Sequence, residues 1–332
     1  RMWRRNLQDF SAVLAKSSIT ITDRDGVHEA LISHPTTRLV EAIHGAEIVI
    51  IPLPAFAQLE MVNELATLLE DGQIILLTPG TFGAYIMANK LREAGCTSDL
   101  VFAESATLPY LTRKLRDTEV GITARATLLP FGAYPSSETG KVGEKLSQLF
   151  PGSVMVSDVL DVALLNAGPI IHPPLIILNA AALENSSSFD IHNEGTQPCT
   201  RKVQEALDNE RILIREKLDY QSPHYPLSDY YEGRKWFYEI NARDSLVDSS
   251  YWREPVDLRE HRYITEDIAF GLTFMVSVAE WVGVDVPVAR GLLSLASVIV
   301  DRDLRNRGRT LESTGLSSMA PAQVKRVLKE GR

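Results

Sequence analysis

The chain has 332 residues, of which 45% are hydrophobic, 23% charged and 7% aromatic, a profile of an ordinary globular protein long enough for two domains. A net charge of −9 argues against a general nucleic-acid or anionic-membrane surface, since both need a basic face. Two distant cysteines without a CxxC, seven scattered histidines, no apolar run of spanning length and no signal-peptide core predict a reducing, cytoplasmic protein without structural disulfide or metal.

The opening Arg1-Met-Trp-Arg4-Arg5 reads as the end of a strand followed by a helix over 7–16. Residues 46–52 are an almost continuous apolar run, as in a parallel strand covered on both faces. Apolar residues at helical spacing follow over 56–69, then a second buried strand over 73–78 closed by Pro79-Gly80. A helix over 85–94 and a strand at 100–103 continue the alternation, and 119–155, with a helix over 141–149, is expected to complete the sheet. This is the order of a Rossmann-like, doubly wound parallel α/β sheet.

No GxGxxG occurs in the sequence. In a dinucleotide fold that turn joins the first strand to the first helix, so the expectation is that roughly 30 residues, the first strand and glycine turn, are missing ahead of Arg1. The end of the second strand selects the cofactor: an acid there bonds the ribose hydroxyls of NAD, and arginine receives the 2′-phosphate of NADP. Arg4 and Arg5 after Trp3 favour NADP(H) over NAD(H).

Beyond residue 157 helical patterns dominate, over 158–182, 200–218 and 266–282, so the reading is a dinucleotide-binding domain over 1–157 and an all-α domain over 158–332. Residues 225–252, rich in Tyr and Trp, read as core and lid packing. His172 precedes Pro173-Pro174 and follows Gly168-Pro169, which predicts a bend or break exposing a polar side chain within an apolar element. Thr265 reads as the N-cap of a helix that starts with Glu266 and Asp267 and ends at Gly283, which leaves Arg262 in an irregular segment just before it. Five residues is a poor pairing separation within an α-helix, so Arg262 and Asp267 are expected to face a site with separate partners. Arg262 suits a substrate carboxylate, and Asp267 suits orienting a histidine. Arg302, Arg305, Arg307 and Arg309 read as ties for the last helix end and tail through carbonyls, Asp301 and Asp303.

In order and spacing, residues 46–55, Leu77-Thr-Pro-Gly80, Asn166…His172-Pro173, Leu178-Asn-Ala-Ala181, Asn193-Glu-Gly195, Arg262-Tyr263…Glu266-Asp267 and Gly308-Arg-Thr-Leu-Glu312…Gly315-Leu316 resemble the octopine/nopaline (opine) dehydrogenase family. The likeness runs the length of the chain and lies nearest the N-(1-carboxyethyl)norvaline dehydrogenase group. It implies an enzyme that reductively joins an α-keto acid to an amino-acid amine with NAD(P)H, built from a Rossmann domain and a helical domain. It also implies His172 as acid/base, Asp267 as its orienting partner and Arg262 as the carboxylate clamp. Thr112 falls where some relatives have a cysteine that helps bind the amino acid, and Thr81 where some have a glutamine that touches it. Leu53, Pro54 and Ala55, with Pro79 and Gly80, are expected along the cofactor. The competing readings are a simple 2-keto acid or ketopantoate-type reductase and a non-catalytic nucleotide-binding fragment. A homodimer through the helical domain is compatible with each.

Overall fold

The computed structural model describes residues 1–239, 242–253 and 255–331. The continuous apolar runs become parallel strands: Ile48–Ile51, Ile74–Leu77 and Val101–Ser105 pair with Ile48 opposite Ile74 and Ile75 opposite Phe102. Every residue of Ile74–Leu77 is buried, as a strand covered on both faces requires. Leu129–Tyr134 adds antiparallel to Val101–Ser105, and Ser153–Met155 adds parallel to that strand, which makes a five-stranded sheet. The helices Gly83–Glu93 and Thr139–Leu149 lie where the sequence predicts them. The expected helix over 56–69 is shorter, a turn at Gln58–Met61 running into Val62–Leu65, yet Met61, Val62, Leu65 and Leu69 still reach the core. Met2–Trp3 is the expected strand end, paired in parallel with Pro35–Thr36 in a separate two-stranded sheet. Among the described residues Ile48–Ile51 pairs only with Ile74–Leu77.

Residues 119–125 do not join the main sheet. Glu119–Arg125 lies in a second, four-stranded sheet between Tyr110–Arg116 and Ser18–Asp23, with Gly26–Leu31 at the far edge. Its half-buried pattern is that of a sheet with one wet face, whereas Leu129–Tyr134, the strand that does enter the main sheet, is buried throughout. The Ser18–Leu31 hairpin turns through Asp25-Gly26, with Gly26 at φ 120°, a conformation that favours glycine.

After Met155 the architecture turns helical. Asp158 caps Val159–Ala163, its carboxylate accepting the Leu160 and Asp161 N–H groups at 2.9 Å each. The apolar stretch Val159–Leu178 is long and apolar enough to cross a membrane by composition, but 83% of its most apolar window is buried inside this fold. Its break falls at Leu164–Ala167, ahead of the residues that suggested it. Helix Gly168–Leu178 starts with Pro169 in its first turn, where a missing N–H costs nothing, and then carries Pro173 and Pro174 within it. The buried pair of Asp161 with Arg215 fastens the long Pro198–Lys217 helix to Val159–Ala163, while Asp208 and Arg211 pair within the long helix itself. The last helix, Pro321–Glu330, returns to the first domain and packs against the turn at Ser136–Glu138.

Candidate active site

The segment carrying Arg262 and Asp267 folds differently from the expected capped α-helix. Tyr263–Leu272 is a π-helix, closed by the Thr273 N–H donating to the Ile268 carbonyl five residues back, and it runs on as the α-helix Thr273–Val282 to Gly283. Thr265 is therefore not the N-cap; it lies inside the helix, and its hydroxyl donates to the His261 carbonyl at 3.4 Å. The wider winding explains the five-residue spacing. In an α-helix residues three and four apart share a face, and here the i→i+5 repeat turns Arg262 and Asp267 to one side. Arg262, Tyr263, Glu266 and Asp267 all line a cleft of about 140 Å³ between the two domains.

Helix Gly168–Leu178 supplies the facing residue. His172 places Nδ1 2.8 Å from Asp267 Oδ2 and is itself only partly buried. A neutral imidazole bonded in this way donates from Nδ1 and leaves Nε2 open to the cleft. The two helices approach closely because Gly168 has no side chain: a Cβ there would sit 2.1 Å from Asp267 Oδ1. Gly271 plays the same part against Pro169, with 2.1 Å to Cγ. Arg262 forms no ion pair or hydrogen bond with any described residue. Burial acts to lower its pKa, but Asp267 and Glu266 beside it prevail and raise it, so its charge is secure. Glu266 is pushed upward by burial first and by Asp267 second, and it accepts the Ala55 N–H at 3.3 Å.

The loop after Ile74–Leu77 forms the opposite lip. Leu53 and Pro54 follow Ile48–Ile51, and Pro79, which lines the cleft, follows Ile74–Leu77. Thr81 and Phe82 both take left-handed backbone, at φ 53° and 66°, a strained state for a β-branched and an aromatic residue. Several contacts hold it: Glu104 accepts from Phe82 N–H at 2.7 Å and Ala84 N–H at 2.8 Å, and Asn166 donates to the Thr81 hydroxyl at 2.9 Å. Burial raises the Glu104 carboxyl to about 7. Buried Arg309 donates to the carbonyls of Gly80 at 3.0 Å, Ala55 at 3.3 Å and Thr81. Arg309 thus ties the strand loops of the first domain to the helical domain, a different task from tethering its own tail. Arg302 pairs with Glu260 and Arg305 with Glu280, in place of the expected Asp301 and Asp303.

A family model described as the NAD/NADP octopine/nopaline dehydrogenase alpha-helical domain matches residues 155–300. The opine dehydrogenase of Arthrobacter sp. (strain 1C) is 26% identical over 327 residues, which span 97% of this chain and 88% of that protein. Residues 155–300 correspond to that family's alpha-helical domain, and over its length the chain is similar to opine dehydrogenases. Its fold matches octopine dehydrogenase solved with NADH and L-arginine, with TM-score 0.68 and 19% identity over 98% of this chain and 89% of that one. It also matches yersinopine dehydrogenase with NADP+ bound, with TM-score 0.64 and 13% identity over 99% and 91% of the two chains. The matched model describes NAD/NADP enzymes and the curated relative is an opine dehydrogenase, so the chain is similar to NAD(P)-dependent oxidoreductases.

The structure brings His172, Asp267 and Arg262 together with Pro79 at the mouth of the strand loops. Gly80 is the residue that loop packing demands, since a Cβ would lie 2.3 Å from Glu104. Thr112 is not brought to the cleft. It is an exposed strand residue whose hydroxyl donates to the Gly121 carbonyl at 2.9 Å, and strand alternation sends Leu111 and Arg113 into the cleft in its place. Thr81 is buried and committed to Asn166 and Arg309, so it braces the loop. Arg5 is engaged by Glu64 at 2.8 Å, while Arg4 is exposed beside it.

The residues present fit the nicotinamide end of a dinucleotide. The cleft reaches the carboxyl end of the parallel strand Ile74–Leu77 through Pro79 and extends to His172, while Leu53 and Pro54 follow the adjacent strand and do not line it. The residues missed by sequence reasoning are Tyr263, Glu266, His192, Asn166 and Arg113. The aromatic stretch is both core and wall: Trp236 and Phe237 are buried, while Tyr230, Tyr231, Trp236, Tyr238 and Trp252 line the cleft. Arg113 lies 3.8 Å above the Trp252 ring.

Proposed function

We propose that the protein reductively condenses an α-keto acid with the amine of an amino acid, with NADP(H) favoured over NAD(H). One observation carries this reading: a His172–Asp267 pair at 2.8 Å faces the same cleft as a guanidinium, Arg262, that no described residue engages. Arg262 receives the keto-acid carboxylate through its two-pronged donor geometry. Asp267 fixes the His172 tautomer and stabilises the positive charge that forms when Nε2 takes a proton. His172 Nε2 gives and removes the protons that turning a ketone and an amine into an imine requires. The nicotinamide, when bound, supplies the hydride that reduces the imine carbon.

Exposed Arg4, at the end of Met2–Trp3, supports the 2′-phosphate preference. Leu108, Leu111, Leu175 and Trp236 on the cleft wall favour an amine partner with a neutral side chain. The same reading gives the enzyme small-molecule partners only, a cytoplasmic place and a homodimer through the helical domain.

The test is NADPH oxidation with pyruvate, in the presence and absence of a set of amino acids. Oxidation that requires the amine is expected. Oxidation with keto acid alone would make the protein a keto-acid or ketopantoate-type reductase, and none under either condition would make it a non-catalytic nucleotide-binding protein.

A further inference from the structure

The Tyr263 ring lies flat on His172, with centroids 3.7 Å apart and planes 11° from parallel. Two neutral aromatic rings avoid such a sandwich because their negative faces repel, and they prefer offset or edge-on contacts. A cationic ring on a phenol face is attracted instead. The observed geometry therefore suits His172 at the moment it holds the second proton. Tyr263 is itself fixed from other directions. Its hydroxyl meets His192 Nε2 at 3.0 Å, and His261 and His192 both stand edge-on to its ring. His192 is half-buried, and desolvation first, then the neighbouring His172 and Arg113, lowers its pKa to about 3. A neutral His192 in the Nδ1–H tautomer accepts a hydrogen bond from the phenol at Nε2, and a phenol that donates a hydrogen bond carries more electron density on its face.

The motif Asn193-Glu-Gly195 is what places His192. Asp190 heads a tight turn there, its carboxylate accepting the His192 N–H at 3.2 Å and its carbonyl accepting the Glu194 N–H at 2.7 Å. Gly195 is required because a Cβ would stand 2.5 Å from the Ile191 carbonyl.

We infer that Tyr263, anchored by His192, is a positioning residue for His172: it sets the plane of the imidazole and stabilises the charge that develops on it. This rests on the reading of His172 as the acid/base. Asp267 then fixes the ring at one edge and Tyr263 fixes it across one face.

The test compares Tyr263→Leu, Tyr263→Phe and His192→Gln with His172→Gln. Tyr263→Leu is expected to lower kcat roughly 10- to 100-fold, the range for losing a partner that orients a functional group, with the keto-acid KM changed less than about threefold. Tyr263→Phe, which keeps the ring, should recover most of that loss, and His192→Gln should fall between. In proton NMR the upfield ring-current shift of the His172 ring protons should survive in Tyr263→Phe and vanish in Tyr263→Leu. Unchanged kcat in Tyr263→Leu, or equal losses in the Phe and Leu variants, overturns the inference. If the Leu variant does not fold, wild-type kcat in His192→Gln overturns it equally. Wild-type turnover by His172→Gln would instead remove the acid/base reading, a distinct result.

Discussion

Gly168→Ala isolates the His172–Asp267 pair without touching either residue. The new methyl would start 2.1 Å from Asp267 Oδ1, and ordinary contact begins near 3.4 Å, so the carboxylate must retreat by 3.4 − 2.1 = 1.3 Å. That takes Oδ2 out of hydrogen-bond range of His172 Nδ1, now at 2.8 Å. A misplacement of about 1 Å in a catalytic group costs about 10²-fold in rate, or about 2.7 kcal/mol of transition-state stabilisation. The atom that moves is the tip of a side chain, and Gly168 sits in the first turn of its helix without positive φ. Alanine there also restricts the unfolded chain, an effect worth about 0.4–1 kcal/mol in favour of folding. We therefore expect kcat to drop about 10²-fold while the melting temperature holds or rises slightly. Steady-state NADPH oxidation and differential scanning calorimetry, run beside Asp267→Asn, measure both. Wild-type turnover in Gly168→Ala, or a collapse in melting temperature, would refute the argument.

Arg262→Lys keeps the charge and loses the bidentate fork, so the keto-acid KM should rise roughly 10- to 100-fold, consistent with losing about 1.5–3 kcal/mol of charged hydrogen bonding; an unchanged KM across a pyruvate titration would place the carboxylate elsewhere. Arg309→Met should destabilise the protein by about 3–5 kcal/mol, because Glu104 and Glu266 lose a buried positive neighbour and the Gly80, Thr81 and Ala55 carbonyls lose their donor. Urea unfolding reads this directly, and a loss below 1 kcal/mol would contradict the latch. The Glu104 carboxyl rises from 4.5 to about 7 in the fold, so its protonated form is favoured there. The contribution is fully present below pH 4.5 and is lost as pH rises to about 7, a change of roughly 3 kcal/mol. The melting-temperature advantage of wild type over Glu104→Gln should therefore shrink across that window, and a constant difference would count against it.

The main sheet was legible because parallel strands covered on both faces must be continuous apolar runs, and 48–51, 74–77 and 101–105 are such runs. The second sheet was not, since its two hairpins are half-exposed and join through a pairing of Thr20–Thr22 with Glu119–Gly121 about a hundred residues apart, which local pattern does not reveal. Asp25-Gly26 was the one local sign of it. At the site, His172, Arg262 and Asp267 were visible as chemistry, but their arrangement was not. Hydrogen-bond slippage to i→i+5 leaves no mark in the sequence; the capping signal at Thr265 pointed the wrong way for that reason. Thr112 failed through parity: a strand shows alternate residues to one face, and one position decides which threonine or arginine meets the cleft. Arg309 was read as a tie to carbonyls of its own tail, and the carbonyls it does bond lie more than two hundred residues earlier in the chain, where no local pattern points.

The π-helix also says how such a site can arise. A π turn is an α-helix that has absorbed an extra residue, and one residue of α-helix is about 100° of rotation. Removing a single codon between Arg262 and Asp267 would let Tyr263–Leu272 relax to α geometry and swing the acid away from His172 while leaving the apolar packing of the helix nearly intact. On the proposed role of His172 and Asp267, one insertion or deletion separates an acid/base pair from an inert helical bundle, a shorter evolutionary step than assembling such a pair by substitution.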